Sequence, residues 1–165
     1  MNNSNSNLES TSLPDYLIPP KTQMTKKTLV LDLDETLVHS QVQPFPVPSD
    51  ITLEIEIEGE THQIHVMIRP GVEEFLKKMS ELFEIIIFTA SVSKYADPLL
   101  DILDPNKLCS YRLFREHCTS INSCFVKELR RLGRDLNNII IVDNSPMSYA
   151  LNHENGLPIQ TWFDD

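Results

Sequence analysis

The chain has 165 residues, 41% of them hydrophobic and 23% charged, enough for one domain whose core needs no disulfide staples. With 24 acids against 14 strong bases, its formal net charge of −10 excludes a polybasic nucleic-acid surface and argues against an anionic membrane as partner. The charge is uneven: Pro105 to Arg134 holds seven bases and two acids, so this stretch is +5 and the remainder −15. Cys109, Cys118 and Cys124 form no CxxC pair and read as reduced thiols of a cytosolic or nuclear protein. No apolar run is long enough to span a membrane, and the opening residues lack a signal-sequence pattern.

Residues 1–26 are rich in Asn, Ser, Thr and Pro and read as a flexible tail, in which Leu13, Tyr16, Leu17 and Ile18 can pack locally. Thr28 to Leu31 is a short apolar run ending in aspartates, the pattern of a central parallel strand. A proline-rich connection over 41–50 follows. Then Ile51, Leu53, Ile55 and Ile57 alternate with Thr52, Glu54, Glu56 and Glu58, Gly59-Glu60 turns the chain, and Ile64, Val66 and Ile68 resume the apolar face. This predicts a hairpin with one face buried and the other acidic and wet. Val72, Phe75, Leu76, Met79 and Leu82 have helical spacing after Pro70-Gly71.

Phe83 to Phe88 is the next buried strand, ending at Thr89-Ala-Ser91, where Ser91 is a candidate cap for a helix carrying Val92, Tyr95 and Ala96. Pro98 kinks or restarts that helix. Residues 105–122 are less regular. Phe125, Val126, Leu129 and Leu132 predict a further helix, with Lys127, Arg130, Arg131 and Arg134 on its wet side, and Ile139 to Val142 a third buried strand. Alternating strands and helices make the fold class α/β.

Three strands release polar groups at their C-terminal ends: Asp32 and Asp34, then Thr89, then Asp143 and Asn144. Ligands bind at those ends in an open α/β sheet. Asp32 and Asp34 lie so close that a cation or hydrogen-bond donors must offset their repulsion. Mg²⁺ suits such a pair, with Asp32 as nucleophile and Asp34 as general acid and base. The bland alternative is a solvated turn or helix cap made by Asp34, Glu35 and Thr36.

The ordered series Asp32-Leu-Asp-Glu-Thr-Leu-Val-His-Ser40, Arg69-Pro-Gly71, Phe88-Thr-Ala-Ser91, Leu113-Phe-Arg-Glu-His-Cys118, Arg131-Leu-Gly-Arg-Asp135 and Val142-Asp-Asn-Ser-Pro146 resembles the small C-terminal-domain phosphatases. These form the FCP/SCP branch of the haloacid dehalogenase superfamily. The resemblance covers residues 28–165. It implies a Rossmannoid haloacid dehalogenase core with a parallel central sheet, and a single phosphatase domain over 27–165 with a small β insertion at about 41–69.

It also implies a Mg²⁺-dependent protein serine/threonine phosphatase that works through an aspartyl-phosphate. Asp32 would attack phosphorus, Asp34 would protonate the leaving group and then activate water, Thr89 would hold a phosphoryl oxygen, and Lys127 would neutralise charge. Asp32, the main-chain oxygen of Asp34, Asn144 and Asp143 would hold the metal, and Arg115 would contact substrate. Val42, Ile55, Ile57, Ile64 and Val92, with Tyr95 beside them, match a pocket for a proline near the phosphoserine. The family's phenylalanine falls on Val42, and Phe45 offers itself three residues later. The expected partner is a phosphorylated peptide or disordered protein, the RNA polymerase II C-terminal domain among them, acted on by a monomer that is nuclear, cytoplasmic or both. Relatives continue past Asp165 into a helix that packs on the core, so the resemblance implies a short member or a shortened chain. Two alternatives stand beside this reading: a small-molecule phosphatase or phosphotransferase using the same aspartates, and a non-catalytic peptide-binding module.

Overall fold

The computed structural model describes residues 15–57 and 59–163, with Ile57 described by its backbone alone. Ten strands and two α-helices run in chain order among the described residues. These are β1 (Lys27–Leu31), β2 (Val38–Gln41), β3 (Ile51–Ile57), β4 (Glu60–Ile68), α1 (Val72–Leu82), β5 (Phe83–Phe88), α2 (Ser93–Leu103), β6 (Cys109–Leu113), β7 (Thr119–Ile121), β8 (Cys124–Val126), β9 (Ile139–Asp143) and β10 (Gly156–Pro158). Short 3₁₀ turns fill the C-terminal third.

The apolar runs of β1, β5 and β9 lie at the centre of a five-stranded parallel sheet, ordered β10-β9-β1-β5-β6. Strands covered on both faces need apolar residues at every position, and the two-residue period sorts them. Leu29, Leu31, Ile85, Ile87 and Val142 enter one core layer with Leu76, Ala96 and Leu99. Val30, Ile86, Phe88, Ile139 and Ile141 enter the other with Ile18, Leu129, Leu132 and Tyr149. From β1 the chain steps outward to β5 and β6, then returns to the other side of β1 with β9 and β10. The strand order therefore reverses at β1, which opens a crevice at the C-terminal ends of β1, β5 and β9.

The alternating stretch forms the expected antiparallel hairpin, with Ile51 opposite Val66 and Leu53 opposite Ile64. Ile51, Leu53 and Ile55 are buried while Thr52, Glu54 and Glu56 face solvent; Glu58, expected on the wet face, lies outside the described residues. A third strand joins it: β2 pairs with β4, giving the order β2-β4-β3. Four residues, VHSQ, are too short a run to declare themselves as a strand.

Several expectations are corrected. The predicted tail through residue 26 gives way, over 15–21, to chain docked on the body. Ile18 is buried, the Leu17 amide donates to Arg131 O at 2.8 Å, and the Lys21 amide donates to Gly133 O at 3.0 Å. Leu13 and the residues before it lie outside the described residues. The predicted helix over 125–132 is instead β8, paired antiparallel with β7, followed by a 3₁₀ turn over Leu129–Leu132. Asn122 and Ser123 both take positive φ (49° and 65°), which suits a tight hairpin turn rather than a helix. Val126 faces inward and Phe125 outward, a strand alternation that helical spacing had masked. Ser91 does not cap a helix: α2 begins after Val92, with no side-chain cap, and runs through Pro98. On α1, Val72 and Leu76 are buried and Met79 packs against the core, but Phe75 and Leu82 are exposed. Residues 105–122, expected to be less regular, contain the edge strand β6 and a short 3₁₀ turn over Arg115–His117.

Arg134, expected on a wet helical face, is buried at the opposite end of the sheet. Its Nε and Nη2 reach the two carboxylate oxygens of Glu84 at 2.8 and 2.9 Å. Lys21 Nζ at 2.7 Å and Thr28 Oγ1 at 3.1 Å complete the cluster. A bidentate guanidinium pair of this kind is among the stronger charge-assisted contacts. Burial pushes the Glu84 carboxyl upward, yet Arg134 and then Lys21 outweigh it and hold it at about 2.

Because Glu84 titrates lower in the folded than in the unfolded chain, its stabilisation is complete above about pH 4.5 and is lost as pH falls toward 2. Urea denaturation across that range is expected to show this loss, and Glu84→Gln to lack it. Arg134→Met, which leaves Glu84 buried with Lys21 as its one remaining cation among the described residues, is expected to cost about 3 kcal/mol at neutral pH.

Candidate active site

The crevice is built outward from β1. The Asp32 amide donates to Val142 O at 3.0 Å, which extends the β1–β9 ladder by one residue and sets Asp32 between the strands. The chain then turns tightly: Leu33 O accepts from the amides of Leu37 (2.8 Å) and Val38 (3.2 Å), with Glu35 at φ 56°. This turn directs the two carboxylates to separate sets of partners.

Asp32 Oδ2 accepts from Thr36 Oγ1 at 2.8 Å, and Oδ1 from Lys127 Nζ at 2.6 Å. The same ammonium donates to Asp143 Oδ2 at 2.6 Å, and Asp143 Oδ1 accepts from the Ser145 amide at 2.8 Å. The side chains of Lys127 and Asp143 are each only 1% exposed. Burial pushes the Lys127 ammonium down, but Asp32 and Asp143 outweigh it and hold it charged, above the ordinary lysine range. The Asp143 carboxyl is pushed up, chiefly by burial and against the pull of Lys127. An ordinary solvent-facing lysine is what the local sequence suggests; this one is the buried counter-ion of two aspartates. Strand β8 delivers it, anchored by the Lys127 amide on Ser148 O at 2.7 Å.

Among the described residues Asp34 has no cationic partner within hydrogen-bonding distance. Its Oδ2 accepts from Ser91 Oγ at 2.7 Å and Thr89 Oγ1 at 3.2 Å, and its Oδ1 from the Tyr95 hydroxyl at 2.9 Å. Burial raises its carboxyl above the usual range, and neighbouring Asp32 adds to this, against the three hydroxyl donors. The Thr89 amide donates to Leu113 O at 2.9 Å and extends the β5–β6 ladder, as Asp32 does for β1. Around both aspartates lies an open cavity of about 530 Å³. Arg115 stands at its rim, its Nε donating to Ala90 O at 2.6 Å and its guanidinium 5.0 Å from the centre of the Phe125 ring. Cys118 sits behind Thr89, and burial pushes its thiol up to about 11, so it is not a nucleophile at neutral pH.

Asp32, Asp34, Thr89, Arg115, Lys127, Asp143 and Asn144, all nominated from sequence, line this one cavity. The nominated apolar pocket is more dispersed. Ile55 is buried and Ile64 half-buried in the core, Val42 and Val92 are exposed, and Phe45 packs edge-on against His39. The Ile57 side chain lies outside what the structure describes. Tyr95, expected beside that pocket, turns its hydroxyl onto Asp34. Arg112 faces away and pairs with Asp97 and Asp101. Thr36, Ser91 and Ser40 were not nominated. Thr36 had a signal in its place four residues after Asp32, whereas Ser91 and Ser40 reach the site only through folding.

The donors that a hard cation prefers are oxygens, and Asp32, Asn144 and Asp143 supply them at the mouths of β1 and β9. The Asn144 amide nitrogen donates to Thr161 Oγ1 at 3.2 Å, which leaves its oxygen available. Among the described residues no three His, Cys, Asp or Glu side chains gather as a cage. A set combining carboxylates with main-chain and amide oxygens fits Mg²⁺, which keeps several waters and takes few carboxylates.

A reversing parallel sheet with an Asp-x-Asp turn after its first strand, a buried lysine and an Asp-Asn pair at the C-terminal end of β9 defines a Rossmannoid haloacid dehalogenase-type phosphatase fold. The chain belongs to the NLI interacting factor-like phosphatase family, whose family model matches residues 27–165. It is 51% identical over 158 residues to Phosphatase Herzog of Drosophila melanogaster, covering 93% of this chain and 45% of that protein. It is 55% identical over 137 residues to the human carboxy-terminal domain RNA polymerase II polypeptide A small phosphatase 2, covering 83% and 50%. The fission yeast RNA polymerase II CTD phosphatase Fcp1 bound to beryllium fluoride superposes with a TM-score of 0.70 at 27% identity, covering 83% of this chain and 42% of that one. The chain thus spans about half the length of the curated relatives it matches. Membership supports hydrolase chemistry and, in general terms, metal dependence.

Removing the Lys127 ammonium leaves two buried carboxylates without a counter-charge. Lys127→Met is expected to lower stability by about 3–5 kcal/mol in urea denaturation. Adding Asp143→Asn should restore part of that loss, because one of the repelling charges is then gone.

Proposed function

We propose that this chain is a Mg²⁺-dependent protein phosphatase that removes phosphate from serine or threonine through a phospho-aspartate on Asp32. The observation that carries this reading is the division of the two aspartates. Asp32 lies 2.6 Å from a buried ammonium, while Asp34, 2.7–3.2 Å from three hydroxyls and raised by burial, is suited to carry a proton. One carboxyl beside an ammonium and one among neutral hydroxyls divide naturally into nucleophile and acid.

In the first half-reaction an Asp32 oxygen bonds to phosphorus as the bond to the serine oxygen breaks. The electron pair stays on that oxygen, and Asp34 supplies its proton. In the second, Asp34 takes a proton from water as the water displaces Asp32 from phosphorus. Lys127 offsets charge beside the nucleophile throughout, and Arg115 at the rim is placed to meet an anionic substrate. Asp32, the Asp34 carbonyl, Asn144 and Asp143 would hold Mg²⁺, which screens the approach of one anion to another. Thr36 and Ser145 keep the two flanking carboxylates from rotating.

The openness of the cavity supports a peptide over an enclosed metabolite. The names of relatives that act on the RNA polymerase II carboxy-terminal domain support a disordered, serine-rich tail as substrate.

Purified protein with Mg²⁺ is expected to dephosphorylate a phosphoserine peptide and to lose this activity reversibly with a chelator. Asp32→Asn should abolish turnover, and retained Mg²⁺-dependent activity in that variant would refute the nucleophile. Asp34→Asn should lose roughly 10²–10⁴-fold. A proline following the phosphoserine is expected to raise turnover; equal rates on scrambled phosphopeptides would remove the apolar pocket from the account.

A further inference from the structure

Three hydroxyls hold Asp34, and they come from different parts of the fold. Thr89 and Ser91 belong to the loop after β5, and this loop is braced. The Ser91 amide donates to Thr89 Oγ1 at 3.0 Å, and Ser91 O accepts from the Arg115 amide at 3.0 Å. Tyr95 arrives separately, from the first turn of α2. Its hydroxyl lies 2.9 Å from Asp34 Oδ1 and 2.8 Å from Ser40 Oγ on β2.

A phenol has one proton to give. If Tyr95 gives it to Asp34, its oxygen is left to accept from Ser40, so donation runs from Ser40 to Tyr95 to Asp34. Linked hydrogen bonds of this kind polarise and strengthen one another. Both oxygens of Asp34 are then fixed, Oδ2 by the loop after β5 and Oδ1 by α2 backed by the insertion sheet. The carboxyl cannot rotate without breaking contacts to two separate elements. Tyr95 is half-buried and packs against the core, so its ring is itself held in place.

We propose that Tyr95, seated by Ser40, is a positioning residue that aims the Asp34 carboxyl at the departing serine oxygen; this rests on the reading of Asp34 as the general acid. The role differs from lining an apolar pocket for a substrate side chain. A pocket residue changes how much peptide is needed for half-saturation, whereas a positioning residue changes the rate of the bound complex. It also acts selectively on the leaving group. A serine alkoxide needs the proton that Asp34 delivers as the phosphorus–oxygen bond breaks, whereas p-nitrophenolate departs without one.

The test uses the full chain with Mg²⁺ and reads the first turnover, so that leaving-group departure is observed apart from hydrolysis of the phospho-aspartate. Tyr95→Phe keeps the ring and removes the hydroxyl. Its first-turnover rate on a phosphoserine peptide is expected to fall roughly 10–100-fold at unchanged half-saturating concentration. Release of p-nitrophenolate from p-nitrophenyl phosphate should remain within about 2-fold, since that leaving group makes little use of a general acid. Ser40→Ala should show the same split with a smaller amplitude, and Asp34→Asn the same split with the largest. Equal losses on both substrates in Tyr95→Phe, or a change confined to the half-saturating concentration, would overturn the proposal. If Asp34→Asn shows the split and Tyr95→Phe does not, positioning alone fails. If Asp34→Asn shows no split, the acid assignment fails and the positioning role falls with it.

Discussion

The ammonium of Lys127 lies 2.6 Å from Asp32 and 2.6 Å from Asp143, and the C-terminal third of the chain is arranged to bring it there. Desolvating a carboxylate or ammonium costs several kcal/mol even after relaxation, so three such groups persist together only if each keeps good partners. The remaining oxygens are occupied accordingly, by the Thr36 hydroxyl on Asp32 and the Ser145 amide on Asp143. Lys127 is reached by a short hairpin, β7–β8, whose last strand is tied to the turn over Pro146–Tyr149 through Ser148. Without that hairpin the first and ninth strands would end in two carboxylates facing each other across the sheet. A helix over the same residues would leave the lysine in water and the aspartates unpaired.

The two ends of the parallel sheet handle buried charge differently. At the N-terminal end, Glu84 is saturated by Arg134, Lys21 and Thr28, and its carboxyl is pulled down to about 2. At the C-terminal end, Asp34 accepts from three neutral hydroxyls and is pushed up by burial. The first arrangement serves stability, since every lone pair that matters is met by a cation or hydroxyl. The second leaves a carboxyl ready to hold or release a proton beside an open cavity, a less stable choice that is useful where chemistry is done.

This contrast also revises the meaning of the +5 segment. Of its seven bases, Arg115 and Lys127 line the cavity. Arg134 neutralises Glu84 at the far end, Arg112 pairs with Asp97 and Asp101, and Arg131 pairs with Asp15. Much of the local positive charge therefore balances acids elsewhere in the fold. The uneven charge pointed toward the site, but three of these bases are structural.

What the sequence by itself determined is whatever depends on period and local chemistry. The unbroken apolar runs of β1, β5 and β9 require strands covered on both faces, and the alternation from Ile51 to Ile68 requires a sheet with one wet face. Polar groups placed just past three such runs must meet at one end of a parallel sheet, which is why Asp32, Asp34, Thr89, Asp143 and Asn144 were legible from the chain. Only the tertiary structure decided how those groups are partnered. Strand β8 is three residues long, too short for its alternation to outweigh the helical spacing of Val126, Leu129 and Leu132, so the burial of Lys127 was hidden. Ser91 looked like a helix cap because a serine before an apolar helix usually is one, yet its hydroxyl serves Asp34. Tyr95 and Ser40 lie 61 and 6 positions from Asp34, and α2 and β2 bring them to it through contacts that no local pattern encodes. Which groups gather at that end followed from periodicity; how each of them is partnered followed from packing.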